Sequence, residues 1–367
     1  MPPDESPPVR SSWVFEGKVV LAAEFDFELP DDLIAQHPAT CREQARLMVL
    51  ERASGRIAHR RFADLPEFLS SKDVIARNNT RVIPARLFGR RESTGGKWQG
   101  LFVRDCGPGR WEVLATARGR LSPGERIVID SGLRLLLESR QDAGRWIVRP
   151  LVPEGERSPA GLLAILERHG HTPLPPYIRG GQEDESDRVR YQTVFAASPG
   201  SVAAPTAGLH FTEKLLDDLA SRGIGCVDLT LHVGPGTFRP ISASAITDHV
   251  MHSEWAELTA EAATELNARR AQGGRIMAVG TTSARTLETA AATGSIIPFT
   301  GETSLFIRPG HVFHGLDLLL TNFHLPRSTL LVLVSALAGV ELIRQAYQEA
   351  IACRYRFYSY GDAMLIM

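Results

Sequence analysis

The sequence predicts an α/β body interrupted by an inserted antiparallel β-domain, because its hydrophobic periodicity changes twice. From about residue 160 onward, apolar strand-like runs alternate with amphipathic helical patterns, which is typical of a parallel or mixed sheet covered by helices. From 74 to 150, short runs alternate apolar and polar residues between Gly, Pro, Ser and Asp turns, which is typical of an antiparallel barrel or sandwich. We therefore expect a body of residues 1–73 and 151–367 and an insert of residues 74–150.

The individual elements follow from these patterns in chain order. The N-terminal piece has the mixed character of the later body, at Asp31–Ala35, Arg46–Arg52 and Phe62–Ser70. The alternating runs predict strands in the insert at Gly100–Val103, Trp111–Ala115, Arg126–Ile129, Leu133–Leu137 and Arg145–Val148. Apolar runs predict strands in the later body at Cys226–Val233, Arg275–Gly280 and Leu316–Phe323. Helical periodicity, with glycines after two of the segments, predicts helices at Glu213–Arg222, Thr259–Gln272, Ser283–Thr293 and Ser328–Val340.

The net charge of -1 conceals a strong asymmetry between the insert and the body. The insert carries 15 Lys and Arg against 7 Asp and Glu, a net charge of +8, so the remainder carries -9. A basic module on an acidic body is the electrostatic signature of a protein that binds a polyanion such as nucleic acid. A solvated surface that happens to use arginine is the alternative, and charge alone leaves both open.

Composition excludes several classes of protein. A hydrophobic share of 43% and a charged share of 23% exclude intrinsic disorder, collagen and a disulfide-rich miniprotein. The longest apolar stretch, Leu330–Leu342, is shorter than the roughly 20 residues of a membrane helix. The N-terminus lacks an apolar signal core. We expect a cytoplasmic protein without a membrane partner, with residues 1–12 as a disordered leader.

Cysteine spacing and nucleotide motifs narrow the chemistry further. The four cysteines (Cys41, Cys106, Cys226 and Cys353) form no CxxC pair, so we expect buried free thiols rather than a zinc or redox site. The sequence contains no GxGxxG, Walker A or GxSxG motif. Hydride transfer on a Rossmann domain, P-loop ATP hydrolysis and α/β-hydrolase chemistry are therefore disfavoured.

Four polar loops follow predicted strands of the body, where ligands bind in α/β folds. Ser201–Thr212 offers Gly208 and His210, and Leu229–Phe238 offers His232 with two glycines. The other two loops place Thr281, Thr282 and Ser283 at a helix N-terminus, and Asn322 with His324 at the last strand end. The hydroxyls can bind an anion or cap the helix.

Each candidate has a structural alternative. A lone histidine is more often a satisfied structural residue than a reactive one, and Arg285 with Glu288 can form a plain surface pair. His249, His252 and Glu254 resemble part of a metal-ligand set, but further ligands are not evident, and we expect no metal. Convergence of the four loops at matching strand ends favours a functional site.

At these residues the chain resembles the S-adenosylmethionine:tRNA ribosyltransferase-isomerase family of queuosine biosynthesis. The similar stretches run in the family's order along nearly the whole chain. They are Phe25–Pro30, Thr80–Gly89, Thr94–Lys97, Thr172–Ile178, Tyr191–Val194, Gly200–Thr212, Leu229–Phe238, His252–Glu254, Val279–Glu288, Thr321–Leu331 and Tyr355–Ile366.

The resemblance implies a large α/β barrel body with a small inserted antiparallel β-barrel domain. It also implies transfer of the ribosyl part of S-adenosylmethionine to 7-aminomethyl-7-deazaguanine at the wobble position of a tRNA. The ribosyl unit isomerises to an epoxycyclopentanediol, adenine and methionine leave, and the product is epoxyqueuosine-tRNA. S-adenosylmethionine is then a consumed co-substrate, and no cofactor is expected. We expect a monomer.

The reaction implied by the resemblance requires a base at C5′, a proton donor for adenine and an uncharged amine. The catalytic candidates are His210, His232, His252, His324, Glu254 and Glu288. The candidates for binding S-adenosylmethionine are Thr206, Gly208, Gly234, Gly236, Thr281, Thr282, Arg285, Asn322 and Asp362. The candidates for binding RNA are Arg81, Arg86, Arg90, Lys97, Arg354 and Arg356. The run Arg354–Tyr358 is expected to stack on an anticodon base, or else to pack in the core.

The chain departs from the family pattern at two places in or beside the insert. It reads Asn78-Asn79-Thr80-Arg81 where the family has Asn-Asp-Thr-Arg, and it lacks the acid expected within Lys97–Gly100. These changes concern RNA docking more than the reaction. A catalytically inactive tRNA-binding relative, or a transferase acting on another nucleoside, is the alternative.

Overall fold

The computed structural model describes residues 20–107, 109–152, 159–236, 241, 243 and 245–367. The strands are β1 (Arg46–Glu51), β2 (Arg56–Arg61), β3 (Val74–Asn78), β4 (Thr80–Val82), β5 (Arg86–Arg91), β6 (Lys97–Asp105), β7 (Trp111–Ala117), β8 (Arg126–Ile129), β9 (Arg134–Arg140), β10 (Arg145–Pro150), β11 (Ser198–Ser201), β12 (Gly225–Leu231), β13 (Glu254–Leu258), β14 (Ile276–Val279), β15 (Phe299–Thr303), β16 (Leu318–Asn322) and β17 (Ala363–Ile366). The α-helices are α1 (Pro159–His169), α2 (Asp187–Arg190), α3 (Glu213–Ser221), α4 (Ala260–Ala271), α5 (Thr281–Ala290), α6 (Thr329–Ala338) and α7 (Val340–Ala352).

A nine-stranded mixed sheet organises the body, in the order β15-β13-β12-β3-β14-β16-β17-β1-β2. Its central strands β12, β3, β14 and β16 are parallel. Successive side chains of β14 are buried on opposite faces. Ile276 and Ala278 join the core formed with α4 to α7, whereas Met277 and Val279 join the core formed with α3. Burial on both faces explains why the central strands are apolar runs rather than alternating ones.

Three body helices begin where hydroxyl side chains accept a backbone N–H. Thr212, Thr259 and Ser328 each accept from the residue three positions later, at 3.1, 3.2 and 3.1 Å. These caps lie at or next to the predicted starts of α3, α4 and α6. Helix α5 instead begins two residues earlier than predicted, because Gly280 takes a positive φ of 88° and becomes its N-cap.

The insert is a closed antiparallel barrel with the strand order β10-β7-β6-β5-β8-β9. Of the two architectures that the sequence left open, a barrel and a sandwich, the structure therefore has the barrel. Its interior is filled by side chains that include Trp98, Trp111 and Trp146. The predicted start of the insert at residue 74 is wrong, because β3 belongs to the nine-stranded sheet and β4 pairs with β11. The barrel strands begin at Arg86 and end at Pro150.

The predicted fold class, α/β with a small inserted antiparallel β-barrel, is confirmed. The described strands of the body form a nine-stranded mixed sheet with two edges, rather than the large closed barrel that the resemblance implies. The cysteines are free as predicted, but the prediction that they are buried is wrong. Three are exposed and Cys106 is half-buried, since they lie outside the apolar faces of their elements. The predicted leader, residues 1–12, lies outside the described residues. Within the described residues, no single helix is long and apolar enough to cross a membrane; α6 and α7 would pass that test together, but they are bent by 115°.

Candidate active site

A pocket opens at the carboxyl ends of the parallel strands β14 and β16. The space that it outlines, including the open solvent at its mouth, is about 620 Å³. The described lining residues are Tyr177, Ala204, Pro205, Thr206, Ala207, Val233, Gly280, Thr281, Thr282, Thr321, Asn322, Phe323, His324, Leu325, Ser328, Leu330, Tyr358 and Ser359. None of these is Asp, Glu, Lys or Arg, so the wall described here is polar in places but carries no permanent charge.

The turn from β14 into α5 brings a helix N-terminus to the pocket wall. Gly280, Thr281 and Thr282 all line the pocket. The Ser283 hydroxyl donates back to the Val279 carbonyl at 2.8 Å, and Thr282 Oγ1 accepts from Asn78 Nδ2 at 3.2 Å. None of the three hydroxyls therefore caps this helix through its side chain. The partial positive charge of a ten-residue helix lies where an anionic group of a ligand can reach it.

A second polar group is built on the end of β16. Thr206 Oγ1 donates to Asn322 Oδ1 at 2.8 Å, and Asn322 Nδ2 donates to His210 Nε2 at 3.3 Å. Thr321 Oγ1 and His324 Nε2 are 2.8 Å apart, and the His324 backbone N–H donates to the Tyr347 hydroxyl at 2.8 Å. These bonds hold the side chains of Asn322 and His324 in fixed positions.

Burial keeps both histidines of this region uncharged at neutral pH. Burial lowers the pKa of His324 to about 3. Burial also lowers the pKa of His210 to about 4; Arg42 and Arg356 lower it as well, whereas Asp362 acts to raise it. His324 lines the pocket, whereas His210 packs against Phe62 with tilted rings and contacts the pocket residue Asn322.

Two tyrosines form the aromatic part of the wall. The rings of Tyr177 and Tyr358 are 4.8 Å apart, and the Tyr177 hydroxyl is 2.7 Å from Ser359 Oγ. Tyr358 has a positive φ of 71°, which is costly for an aromatic residue. Its N–H donates to the Phe323 carbonyl at 3.1 Å and its own carbonyl accepts from Gly361 at 3.0 Å, so the local fold maintains this conformation.

The charged candidates lie outside the pocket lining, and each is buried and engaged by neighbouring charged or polar groups. Glu254 forms an ion pair with Arg285 and accepts the Gly234 N–H at 2.8 Å. Glu288 accepts backbone N–H groups of residues 314 and 315 and lies 3.0 Å from His311 Nε2. Asp362 accepts from the side chain and N–H of Arg46. Arg285 and Glu288 therefore do not pair with each other, although they share a helix.

The remaining histidine and glycine candidates are also outside the pocket lining. His232 stacks on Trp255 and lies 2.7 Å from Thr80 Oγ1, and burial lowers its pKa. His252 is exposed beside Gly236, where a Cβ would lie 2.2 Å from its ring. Gly208 is required for packing, since a Cβ there would lie 2.8 Å from neighbouring side chains.

Comparison with known proteins identifies the family. A family model described as queuosine biosynthesis protein matches residues 22–366. Proteins named S-adenosylmethionine:tRNA ribosyltransferase-isomerase from Symbiobacterium thermophilum and Anaeromyxobacter dehalogenans (strain 2CP-C) are each 51% identical to the chain, over 94% of it and 99% of each relative. The chain belongs to the queuosine biosynthesis protein family. A crystal structure of S-adenosylmethionine tRNA ribosyltransferase from Thermotoga maritima is 34% identical, with a TM-score of 0.54, and covers 94% of this chain and 100% of that one.

Membership of this family confirms the resemblance seen in the sequence and the class of transferase-isomerase enzymes. Five of the predicted site residues come together in the pocket of this family member: Thr206, Thr281, Thr282, Asn322 and His324. Among the described part of the chain, no group of three or more His, Cys, Asp or Glu is arranged to hold a metal.

Sequence reasoning missed the aromatic wall of the pocket. Tyr177 and Tyr358 both lie within stretches that carry the family resemblance, and that was the available signal. The run Arg354–Tyr358 was expected to stack on an anticodon base or to pack in the core. Tyr355 and Phe357 are buried in the core, whereas Tyr358 lines the pocket. The alternative of core packing is confirmed for Phe357.

The predicted RNA-binding residues divide into exposed and engaged side chains. Arg90, Lys97 and Arg354 are exposed, and Arg354 also forms an ion pair with Asp32. Arg86 is tied to the Leu174 carbonyl at 3.1 Å, and burial lowers its pKa. Arg356 is half-buried and donates to the His37 carbonyl, and Arg81 lies 3.6 Å from Glu167. Asn79, at one departure from the family pattern, accepts the Thr230 hydroxyl at 2.8 Å, an acceptor role that aspartate also fills.

Proposed function

We propose that the protein transfers and isomerises the ribosyl moiety of S-adenosylmethionine onto 7-aminomethyl-7-deazaguanine at the wobble position of a tRNA. The products are epoxyqueuosine-tRNA, adenine and methionine. The observation that carries the proposal is the pocket without permanent charge, which combines a helix N-terminus, an aromatic wall and an uncharged histidine. Its place at the carboxyl ends of parallel strands fits the general position of ligand sites in α/β folds.

Three parts of S-adenosylmethionine, the carboxylate, the sulfonium and the ribose, have a complement in this pocket. The methionyl carboxylate suits the N-terminus of α5, where Thr281 and Thr282 line the wall. The sulfonium cation suits the faces of Tyr177 and Tyr358, because aromatic rings attract cations. Asn322 can bond to a ribose hydroxyl. No lysine or arginine among the described lining residues would repel the sulfonium.

His324 is the best candidate for the base. The sulfonium makes the protons at C5′ acidic, and a base that is uncharged before the reaction can accept one of them. Burial keeps the His324 ring uncharged at neutral pH but also lowers its basicity, so its candidacy rests on position: the ring lines the pocket and Thr321 fixes it. An uncharged base also avoids placing a second cation beside the sulfonium before proton transfer. His210, which contacts Asn322, acts as a positioning residue in this proposal.

The proposal includes a cytoplasmic monomer that consumes S-adenosylmethionine and uses no other cofactor. A catalytically inactive relative that only binds tRNA is the second candidate. It is favoured by the departures at Asn79 and within Lys97–Gly100, although Asn79 keeps its acceptor contact.

The test is to incubate the protein with S-adenosylmethionine and a tRNA that bears 7-aminomethyl-7-deazaguanine, and to follow adenine and methionine by chromatography. We expect both products in equal amounts, with a matching gain in the mass of the tRNA. The matched control is the same tRNA with ordinary guanine at the wobble position, which should release neither product. Release of S-adenosylhomocysteine would indicate methyl transfer instead, and tRNA binding without adenine release would favour the inactive relative.

A further inference from the structure

We propose that a row of three cations on the outer face of the inserted barrel binds the phosphate backbone of the tRNA. The row consists of Arg90, Lys97 and Arg118, and we call it the basic row. The choice of tRNA as the polyanion rests on the proposed function, whereas the location rests on strand register and charge pairing.

Strand register places the three side chains side by side. Arg90 on β5 is directly opposite Lys97 on β6, and the next β6 residue, Trp98, is opposite Ala117 on β7. Arg118 is the first residue after β7, and one more step of the same register sets it opposite Lys97. All three side chains are exposed, while Trp98 points into the barrel core. Residues directly opposite each other in antiparallel strands have Cβ atoms about 5 Å apart, so the charges form a compact row.

Elsewhere on the barrel, most arginines are paired with glutamates; among the described residues, Arg86, Arg120 and Arg140 are the exceptions. Arg104 and Arg145 pair with Glu112, and Arg110 and Arg149 pair with Glu138. The same holds for two further glutamates of the barrel: Arg126 and Arg134 flank Glu92, and Arg91 pairs with Glu125. Much of the excess of arginine is thus arranged around carboxylates.

The basic row is not compensated in this way. Among the described residues, no carboxylate oxygen lies within 4.0 Å of a charged nitrogen of Arg90, Lys97 or Arg118. Arg90 makes only a long contact, 3.5 Å, with the Gly95 carbonyl. Like charges directly opposite on neighbouring strands destabilise a sheet. The basic row has no carboxylate partners and its like charges lower the stability of the barrel. Such a surface is expected where a polyanion neutralises the charges.

The neighbouring positions suit an RNA backbone. Gln99 on β6 is opposite Thr116 on β7, on the same exposed face as the row, and both side chains are exposed. Arg120 lies two residues beyond Arg118 and is also exposed. Phosphate contacts in protein–RNA complexes come from such Arg, Lys, Gln and Thr side chains. The surface therefore combines long-range attraction with short-range donors.

The experiment compares two double variants with the same change in charge. Lys97→Gln with Arg118→Gln removes two cations of the basic row. Arg104→Gln with Arg110→Gln removes two exposed cations from pairs, and each glutamate keeps its second arginine, Arg145 or Arg149. Binding of a full-length tRNA transcript is measured for both variants and the wild type across a series of salt concentrations.

We expect the row variant to bind tRNA about tenfold more weakly, and its dependence of log affinity on log salt to flatten by nearly one unit for each phosphate that is no longer neutralised. The paired variant should keep the wild-type slope. The row variant should also melt at or above the wild-type temperature, because like-charge repulsion is relieved. Equal weakening in both variants would show a general charge effect and overturn the proposal, as would an unchanged slope in the row variant.

This test is independent of turnover. Phosphate contacts do not depend on the wobble base, so an unmodified transcript serves as the probe. If the wild type binds the transcript but releases no adenine from the modified tRNA, the proposed function fails and the basic row stands. If adenine is released but the row variant binds like the wild type, the basic row fails and the proposed function stands.

Discussion

The pocket of the body and the outer face of the inserted barrel differ in where they place charge. The described pocket lining has no charged residue, and its histidine is kept neutral by burial. The barrel is rich in exposed arginine and leaves the basic row without carboxylates. A buried pocket without counter-ions avoids unpaired charge while its ligand is absent, whereas exposed cations remain hydrated until RNA neutralises them.

The buried charged residues of the body form a third environment, which differs from both the pocket and the barrel face. Glu254 and Arg285 form an ion pair that is almost completely buried, and Glu288 and Asp362 are enclosed by donors. Fixed charges of the body near the strand ends are thus used internally. The comparison predicts that chemistry depends on uncharged pocket groups, stability on the buried pairs, and RNA affinity on the row.

The largest expected effect concerns the pocket histidine. His324→Ala should lower adenine release about a thousandfold, as expected for removal of an acid–base group. His210→Ala should lower it about tenfold, because that ring acts through Asn322. Single-turnover rates at saturating S-adenosylmethionine measure both, with tRNA binding as a check that the variants are folded.

The matched control is His59→Ala. His59 bonds to Tyr355 and Glu349 away from the pocket, and its removal should leave the rate near that of the wild type. A loss in His210→Ala as large as that in His324→Ala would contradict the ranking of the two residues.

The next largest effect concerns stability rather than chemistry. Glu254→Gln leaves the buried Arg285 cation without its counter-ion and should lower the free energy of unfolding by about 3–5 kcal/mol. Asp218→Asn, in an exposed pair with Arg222, should change it by less than about 1 kcal/mol. Urea denaturation measures both variants. If Glu254→Gln is as stable as the wild type but loses turnover, Glu254 acts in catalysis, as the sequence first indicated.

A smaller effect is expected from pH. The unfolded chain protonates His210 and His324 near pH 6.5, whereas the folded chain does so only near 4 and 3. The unfolded state therefore binds more protons below pH 6.5, and stability falls as the pH falls, by up to about 1.4 kcal/mol per pH unit for each histidine.

Denaturation at about pH 6 and 5, with about pH 7 as the reference above the interval, measures this slope. Replacing both histidines by glutamine should flatten it, whereas His59→Gln should not. An equal slope in the double variant and the wild type would show that these rings are not buried neutral.

The sequence predicted the residues that line the pocket more accurately than it predicted how the charged residues around the pocket are paired. Polar residues after parallel strands converge because strand ends share one edge of a sheet, and Asn322 and His324 meet Thr206 and Thr281 there as expected. Glu254 and Arg285 are 31 positions apart, so their mutual pairing was not visible in the local pattern.

Two further features, strand β5 and the contact between Tyr177 and Tyr358, could not be predicted from the sequence for physical reasons. Strand β5, Arg86–Arg91, contains three arginines and a glycine, so its alternating burial is hidden by polar residues. Tyr177 and Tyr358 meet across the fold, and the positive φ of Tyr358 comes from tertiary contacts rather than from a residue that favours it. In both cases the information lies in packing between distant segments.

The most direct test of the account is the affinity of the pocket for S-adenosylmethionine when a single charge is added to it. Thr281→Asn and Thr281→Asp place side chains of nearly equal shape at the first residue of α5. The account predicts that the asparagine variant binds S-adenosylmethionine within about threefold of the wild type by calorimetry. The aspartate variant should bind at least about tenfold more weakly, a difference of about 1.4 kcal/mol, because its carboxylate competes for the helix N-terminus. Equal affinity of the two variants, or tighter binding by aspartate, would contradict the claim that an uncharged pocket receives the methionyl carboxylate there.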